Sequence, residues 1–168
     1  MDQYPLSQYW ALGTNTFRVS NNSASFIAAA KQSGIEISVI SGVQEAILIY
    51  AGVIASLPDI EKNRLVIDIG GGSTEVIIGR KHTRFLTESL AIGSVTWRDR
   101  FFSKKEATFD EVEVAMTLAI DAARKEFEVV APAVKMANWS EVYAASGTVK
   151  MLAAICEANG SQNGEISL

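Results

Sequence analysis

The stretch Leu65-Val66-Ile67-Asp68-Ile69-Gly70-Gly71-Gly72-Ser73-Thr74-Glu75 decides how this sequence is read. An apolar strand delivers one carboxylate, Asp68, and the chain then turns through three glycines. Glycine has no Cβ, so successive N–H groups in such a turn can close on an anion. Ser73 and Thr74 add hydroxyl donors, and Asp68 and Glu75 offer hard oxygen ligands suited to a cation such as Mg2+. The segment after the glycines discriminates between phosphate motifs. A dinucleotide or P-loop fingerprint opens a helix, whereas residues 74–79 alternate and are β-branched, which reads as a second strand. The P-loop lysine is also missing. A plain glycine-rich hairpin behind an aspartate is the alternative.

Working outward, residues 64–69, 74–79 and 85–91 form a three-stranded meander around the charged turn Arg80, Lys81 and His82. Upstream, residues 9–13 read as a short strand, followed by a polar loop through Asn21 and Asn22. Residues 24–33 then fit a helix and residues 35–40 a buried, β-branched strand. Ser41 with Gln44 resembles a capping box, and Val43, Ile47, Tyr50 and Ile54 recur at helical spacing up to Pro58 and Asp59. Downstream, Thr108 and Glu111 make a second capping-box pattern. Val112, Ala115, Met116, Ala119, Ala123 and Phe127 continue it as a helical stripe. Residues 141–145 read as a strand, Ser146-Gly147-Thr148 as a tight turn, and residues 149–157 as a helix, with a polar, frayed tail over 159–168. Alternating βα units give way to a meander, so two substructures are expected to meet near residues 58–63. Neither half is large enough for a standard domain, which points to a fragment.

Three further groups have chemical potential. Ser146 and Gly147 stand at a helix start, where N–H groups favour an anion; an ordinary helix start has the same composition. Glu45 falls in the first turn of a helix, where the macrodipole favours any carboxylate, and near bound phosphate the same group can deprotonate a water. Arg18 has the planar fork that suits phosphate, or it is a solvated loop residue. His82 and Cys156 read as surface or packing residues. Trp97, Phe101 and Phe102 read as packing rather than base-stacking groups.

Composition narrows the classes. The 168 residues include 15 Lys plus Arg and 19 Asp plus Glu, a net charge of −4. That balance gives no long-range attraction for nucleic acid or an anionic membrane. One cysteine excludes an intrachain disulfide framework, and one histidine argues against a Ser-His-Asp triad or a histidine-rich metal cluster. Apolar runs fall far short of the ~20 residues that span a bilayer, and the first ten residues lack a signal-peptide pattern. Hydrophobic residues at 48% support a packed core. The expectation is a soluble, cytoplasmic protein.

Taken together, Thr14-Asn15-Thr16-Phe17-Arg18, Ile40-Ser41-Gly42-Val43-Gln44-Glu45-Ala46, residues 66–75, Gly93 with Arg100-Phe101-Phe102, and Ala145-Ser146-Gly147-Thr148 resemble the exopolyphosphatase/guanosine pentaphosphate phosphatase (Ppx/GppA) family in order and approximate spacing. The resemblance covers residues 10–154. It implies an α/β, actin-like (ribonuclease H-like) fold of two domains about a cleft. It also implies Mg2+-dependent release of terminal phosphate from inorganic polyphosphate or pppGpp. By position, Glu45 matches the family's water-activating glutamate and Asp68 and Glu75 its metal-linked carboxylates. Gly70, Gly71, Gly72, Ser73 and Thr74 match its second phosphate loop, and Arg18 its phosphate-contacting arginine.

The family's first phosphate loop, of the type Asp-x-Gly-Ser-Asn-Ser, lies upstream of the arginine. Residues 11–16 imitate it only superficially, with Ala11 where the carboxylate would stand. Residues 1–60 are therefore expected to be the C-terminal part of domain I, and residues 61–168 the N-terminal part of domain II. Apolar surface left open by missing strands favours a homodimer. Gln44 and Ile47 replace a Glu and an Arg usual beside the catalytic glutamate. Two other readings stand beside the phosphatase: a non-catalytic phosphate- or nucleotide-binding remnant of the actin-like fold, and a kinase or ATPase of the same superfamily.

Overall fold

Two short parallel strands, β1 (Ala11–Gly13) and β2 (Ile37–Val39), open the computed structural model, which describes residues 9–58 and 61–160. A helical crossover joins them, as parallel pairing requires: α1 (Asn15–Val19) and α2 (Ser23–Gln32). Gly34, with φ +79°, follows α2 in the left-handed conformation that suits glycine beyond a helix end. The loop expected through Asn21 and Asn22 is thus mostly helix. Backbone bonds Arg18 N–H to Thr14 O and Ser20 N–H to Thr16 O close α1, leaving only a turn at Asn21 and Asn22. The strand expected over residues 35–40 is shorter and not buried, with Val39 43% exposed, since it pairs with a single neighbour.

These elements belong to one compact unit, residues 1–41; the other is residues 42–168. The division falls earlier than the break expected near 58–63, because the next helix packs with the strands downstream of it. That helix, α3 (Gly42–Ala55), precedes β3 (Arg64–Ile69), β4 (Thr74–Arg80) and β5 (Thr83–Leu90). Then come α4 (Ser94–Phe101), α5 (Phe109–Glu128), α6 (Ala131–Met136), β6 (Glu141–Ala145) and α7 (Gly147–Ala158). The sheet order is β5-β4-β3-β6, antiparallel except for the parallel β3–β6 pair. The expected meander and final strand-helix unit are both present. Asp59 and residues 161–168 of the expected tail lie outside the described residues.

Strand alternation assigns the two faces of this sheet. Val66 and Ile77 pack with Ala46, Tyr50 and Ile54 of α3 and with Tyr143. Leu65, Val76, Ile78 and Leu90 pack on the opposite side with Phe127, Val130 and Val134 of the α5–α6 region. Coverage on both faces explains why β3 reads as a continuous apolar run. The buried stripe of α3 is Ala46, Tyr50 and Ile54, whereas Val43, expected within it, is 45% exposed. In α5 the Thr108–Glu111 capping box forms as expected. Of its expected stripe Ala119 is buried and Phe127 joins the core, while Val112 and Met116 face outward. Among the described residues no helix is long and apolar enough to cross a membrane.

Tyr50 fixes how closely α3 approaches the sheet. It is buried, its hydroxyl donates to the Lys81 carbonyl at 3.0 Å, and it lies over Gly79. A Cβ at Gly79 would stand 2.5 Å from the Tyr50 hydroxyl and 2.4 Å from the Thr83 carbonyl oxygen. Gly79→Ala is therefore expected to destabilise the chain by about 1–3 kcal/mol, the usual cost of overpacking. Urea unfolding measures this; an unchanged midpoint would show that α3 is free to shift.

Candidate functional site

The sheet register brings the chemistry together. Asp68 on β3 stands directly opposite Glu75 on β4, and Glu75 opposite Ser89 on β5. On its other side Asp68 is level with Ala145, the last residue of β6. Asp68 and Glu75 share the face of Val66 and Ile77, which α3 covers. Glu45, in the first turn of α3, immediately precedes the fully buried Ala46. Three carboxylates thus interact across one face. Burial pushes the Asp68 carboxyl above the ordinary 3.8 and Glu45 pushes it further, against a hydroxyl contact from Ser146. Glu75, 1% exposed, is raised above 4.5 mainly by burial. Hydroxyls of Ser89 and Ser73 counter that rise, and Glu45 and Asp68 add to it.

The glycine turn leads from β3 to β4 and is closed by Gly70 N–H donating to Ser73 O at 2.9 Å. Its carbonyls face the start of α4. Ser94 N–H donates to Gly70 O at 3.0 Å, and Val95 and Thr96 N–H donate to Gly71 O at 2.9 and 3.0 Å. Gly93 makes this approach possible, since a Cβ there would stand 2.4 Å from Gly72 N. Among the described residues, no backbone hydrogen bond is made by the N–H groups of Gly71 and Gly72. The two hydroxyls of the motif turn inward instead. Thr74 Oγ1 donates to Ile92 O at 2.7 Å, and Ser73 bonds Glu75. Both residues are buried, so the donors that the sequence suggested for an anion are used within the fold.

Ser146 completes the site. It adopts φ +91° and ψ 173°, a conformation that L-residues rarely accept outside functional or constrained positions. Its hydroxyl donates to the Ile69 carbonyl and also contacts the Asp68 carboxylate, and its one proton serves one of them at a time. Gly147 begins α7, and Thr148 Oγ1 lies 3.1 Å from Ser94 Oγ, joining the starts of α4 and α7. Glu45, Asp68, Glu75, the glycine turn and Ser146-Gly147 therefore converge within the second unit. Arg18 belongs to the first unit, where its Nη1 donates to the Ile40 carbonyl at 2.8 Å. His82 is exposed in the β4–β5 turn and Cys156 is half-buried on α7. Ser89 and Ser94 were not singled out by sequence. Only the strand register and the docking of α4 reveal them.

Residues 1–168 match the Ppx/GppA phosphatase family. The chain belongs to this family. It is 37% identical over 161 residues to the guanosine-5'-triphosphate,3'-diphosphate pyrophosphatase of Photobacterium profundum, covering 95% of this chain and 31% of that protein. An exopolyphosphatase from Cytophaga hutchinsonii superposes with a TM-score of 0.74 at 30% identity, over 95% of this chain and 49% of that one. The Aquifex aeolicus PPX-GPPA enzyme gives 0.69 at 28% identity, over 94% and 50%. The chain thus spans about a third of the pyrophosphatase and half of each solved Ppx/GppA structure. The α/β fold implied by the motifs is observed, and it is shared with the solved Ppx/GppA structures.

The raised carboxyls have a measurable consequence. Their charged forms are disfavoured in the folded state, so their favourable contribution is full below the ordinary values of 3.8 and 4.5 and is lost as pH rises through the raised ones. Glu75→Gln is expected to raise the melting temperature of the metal-free chain at neutral pH, by about 2–4 °C for each kcal/mol relieved. The gain should shrink as pH falls toward 4.5. Melting curves in chelator across the acid to neutral range test this; a pH-independent difference would contradict it.

Proposed function

We propose that this chain carries the phosphoanhydride-hydrolysing site of a Ppx/GppA phosphatase, releasing terminal phosphate from inorganic polyphosphate or pppGpp. One observation carries the reading: Glu45, Asp68 and Glu75 meet on the sheet face that ends in the glycine turn. The relatives support both substrates, since one is a guanosine pyrophosphatase and another an exopolyphosphatase.

Mg2+ fits this donor set. Glu75 is buried beside the hydroxyls of Ser89 and Ser73 and faces the carboxylates of Glu45 and Asp68, a surrounding in which a bound cation would stabilise its charged form. Among the described residues no three acidic, His or Cys side chains converge as a complete ligand cage. An ion of this kind keeps most of its waters and uses one or two carboxylates. Asp68, half-buried, and Glu75 behind it would hold Mg2+. When bound, Mg2+ supplies charge neutralisation for the phosphate oxygens.

The chain's own groups do the rest. N–H groups of Gly71 and Gly72 donate to phosphate oxygens, and the start of α7 at Gly147 adds its positive dipole end. Ser73, Thr74 and Ser146 hold the loop and Asp68 in place. Glu45 accepts a proton from a water whose oxygen attacks the terminal phosphorus. The bond from that phosphorus to the bridging oxygen breaks, and the shortened chain leaves with the bridging oxygen. Such transfer needs positioning and electrostatic stabilisation more than covalent help.

A second reading, phosphate binding without turnover, is favoured by Gln44 and Ile47, which replace the charged residues usual beside the catalytic glutamate. Phosphate release from polyphosphate and from pppGpp with Mg2+ separates the two. The expected result is release that falls by about 10²–10⁴-fold in Glu45→Ala, with polyphosphate binding retained. Binding without release supports the second reading. Neither binding nor release would leave the glycine hairpin as architecture alone.

A further inference from the structure

The β4–β5 ladder contains an irregularity that bears on the site. Near the turn Arg80 pairs with Thr83 and Gly79 with Arg84, but the next pair is Ile78 with Leu86. Phe85 is the extra residue of a β-bulge, and it shifts every later pair by one position. With the shift, Ser89 stands opposite Glu75; in an unbroken ladder Glu88 would stand there. One bulge therefore replaces a further carboxylate with a neutral donor beside a carboxylate that already faces two others. Bulges re-aim side chains in this way near functional sites. The Ser89 hydroxyl donates to Glu75 Oε1 at 2.8 Å, and Glu75 is 1% exposed. Glu88, shifted level with Val76, is exposed.

We infer that Ser89 is a positioning residue for Mg2+: its hydrogen bond to Oε1, beside the Ser73 contact, fixes the Glu75 carboxylate on the strand position opposite Asp68. The inference rests on the assignment of Asp68 and Glu75 to Mg2+. Groups that orient a metal's carboxylates commonly change metal affinity by 10–100-fold when removed. A carboxylate packed between strands, with a charge-assisted bond from Ser89 beside the one from Ser73, has the geometry for such an effect.

The test compares Ser89→Thr, which keeps a hydroxyl, with its isostere Ser89→Val, which lacks one. Each full chain is titrated calorimetrically with Mg2+ alone, without phosphate, after circular dichroism has verified its fold. Ser89→Ala runs alongside as a smaller hydroxyl-free variant, should Val not be accommodated. The expected result is near-wild-type affinity for Thr and about 10-fold or greater weakening for Val and Ala. Wild-type affinity in the hydroxyl-free variants overturns the inference, as does a Thr variant as weak as Val. A wild-type chain that takes up no Mg2+ overturns the metal assignment itself and the inference with it, so the two failures are distinguishable.

Discussion

A carboxylate removed from water and faced by other carboxylates must be held by donors, neutralised by a cation, or protonated. Glu75 is in that position, and much of the second unit is arranged around it. Its strand lies between β3 and β5, so its neighbours on either side are set by register: Asp68 on one side and Ser89 on the other. Ser73, immediately before β4, turns its hydroxyl back to the same group. From above, α3 brings Glu45. The cost of this crowding falls on the metal-free fold, and a divalent ion in the proposed role would relieve it. Stability and function pull against one another here in the way expected of a preorganised site.

The glycine turn gives its carbonyl side to structure. Its carbonyls at Gly70 and Gly71 receive the first N–H groups of α4, so the amino end of that helix is occupied by the protein itself. This contact supplies what α4 lacks locally, because its N-cap is Gly93 and no side chain caps it. The turn in turn gains rigidity from a helix that begins more than twenty residues later. Gly93 is needed for the closeness of the contact, and the glycines of the turn for the path of the backbone. Four glycines thus serve one junction.

Much of this was legible before any coordinates. The strands around Asp68 and Glu75, the hairpin at Lys81, the Thr108 cap and the Ser146 turn all follow from alternation and short-range hydrogen-bonding rules. What escaped was non-local. Helix α4 has no capping signal because its cap is the carbonyl edge of a distant turn. Thr74 reads as a phosphate donor until Ile92 is found beneath it. Residues 15–19 look like loop because their polar side chains mask a backbone that closes on itself. The division between units was misplaced because α3 carries its apolar face to a sheet that comes later in the sequence. Ser89 was hidden by a single extra residue, Phe85, whose insertion no periodicity announces.

The parallel pairing of β6 with β3 sets when the site can exist. Ser146 reaches the Ile69 carbonyl across 77 positions, whereas Glu75 meets Ser89 across 14. The β3–β4–β5 meander closes short loops and can gather early, while β6 must bear the entropy of a long closure before its contacts repay it. During synthesis the hairpin with Asp68 and Glu75 emerges well before β6 does. For that interval the acidic cluster lacks both the parallel strand beside Asp68 and the serine that touches it. Completion of the cluster around Asp68 is thereby tied to completion of the sheet, so a nascent chain does not gather these groups while its core is still open.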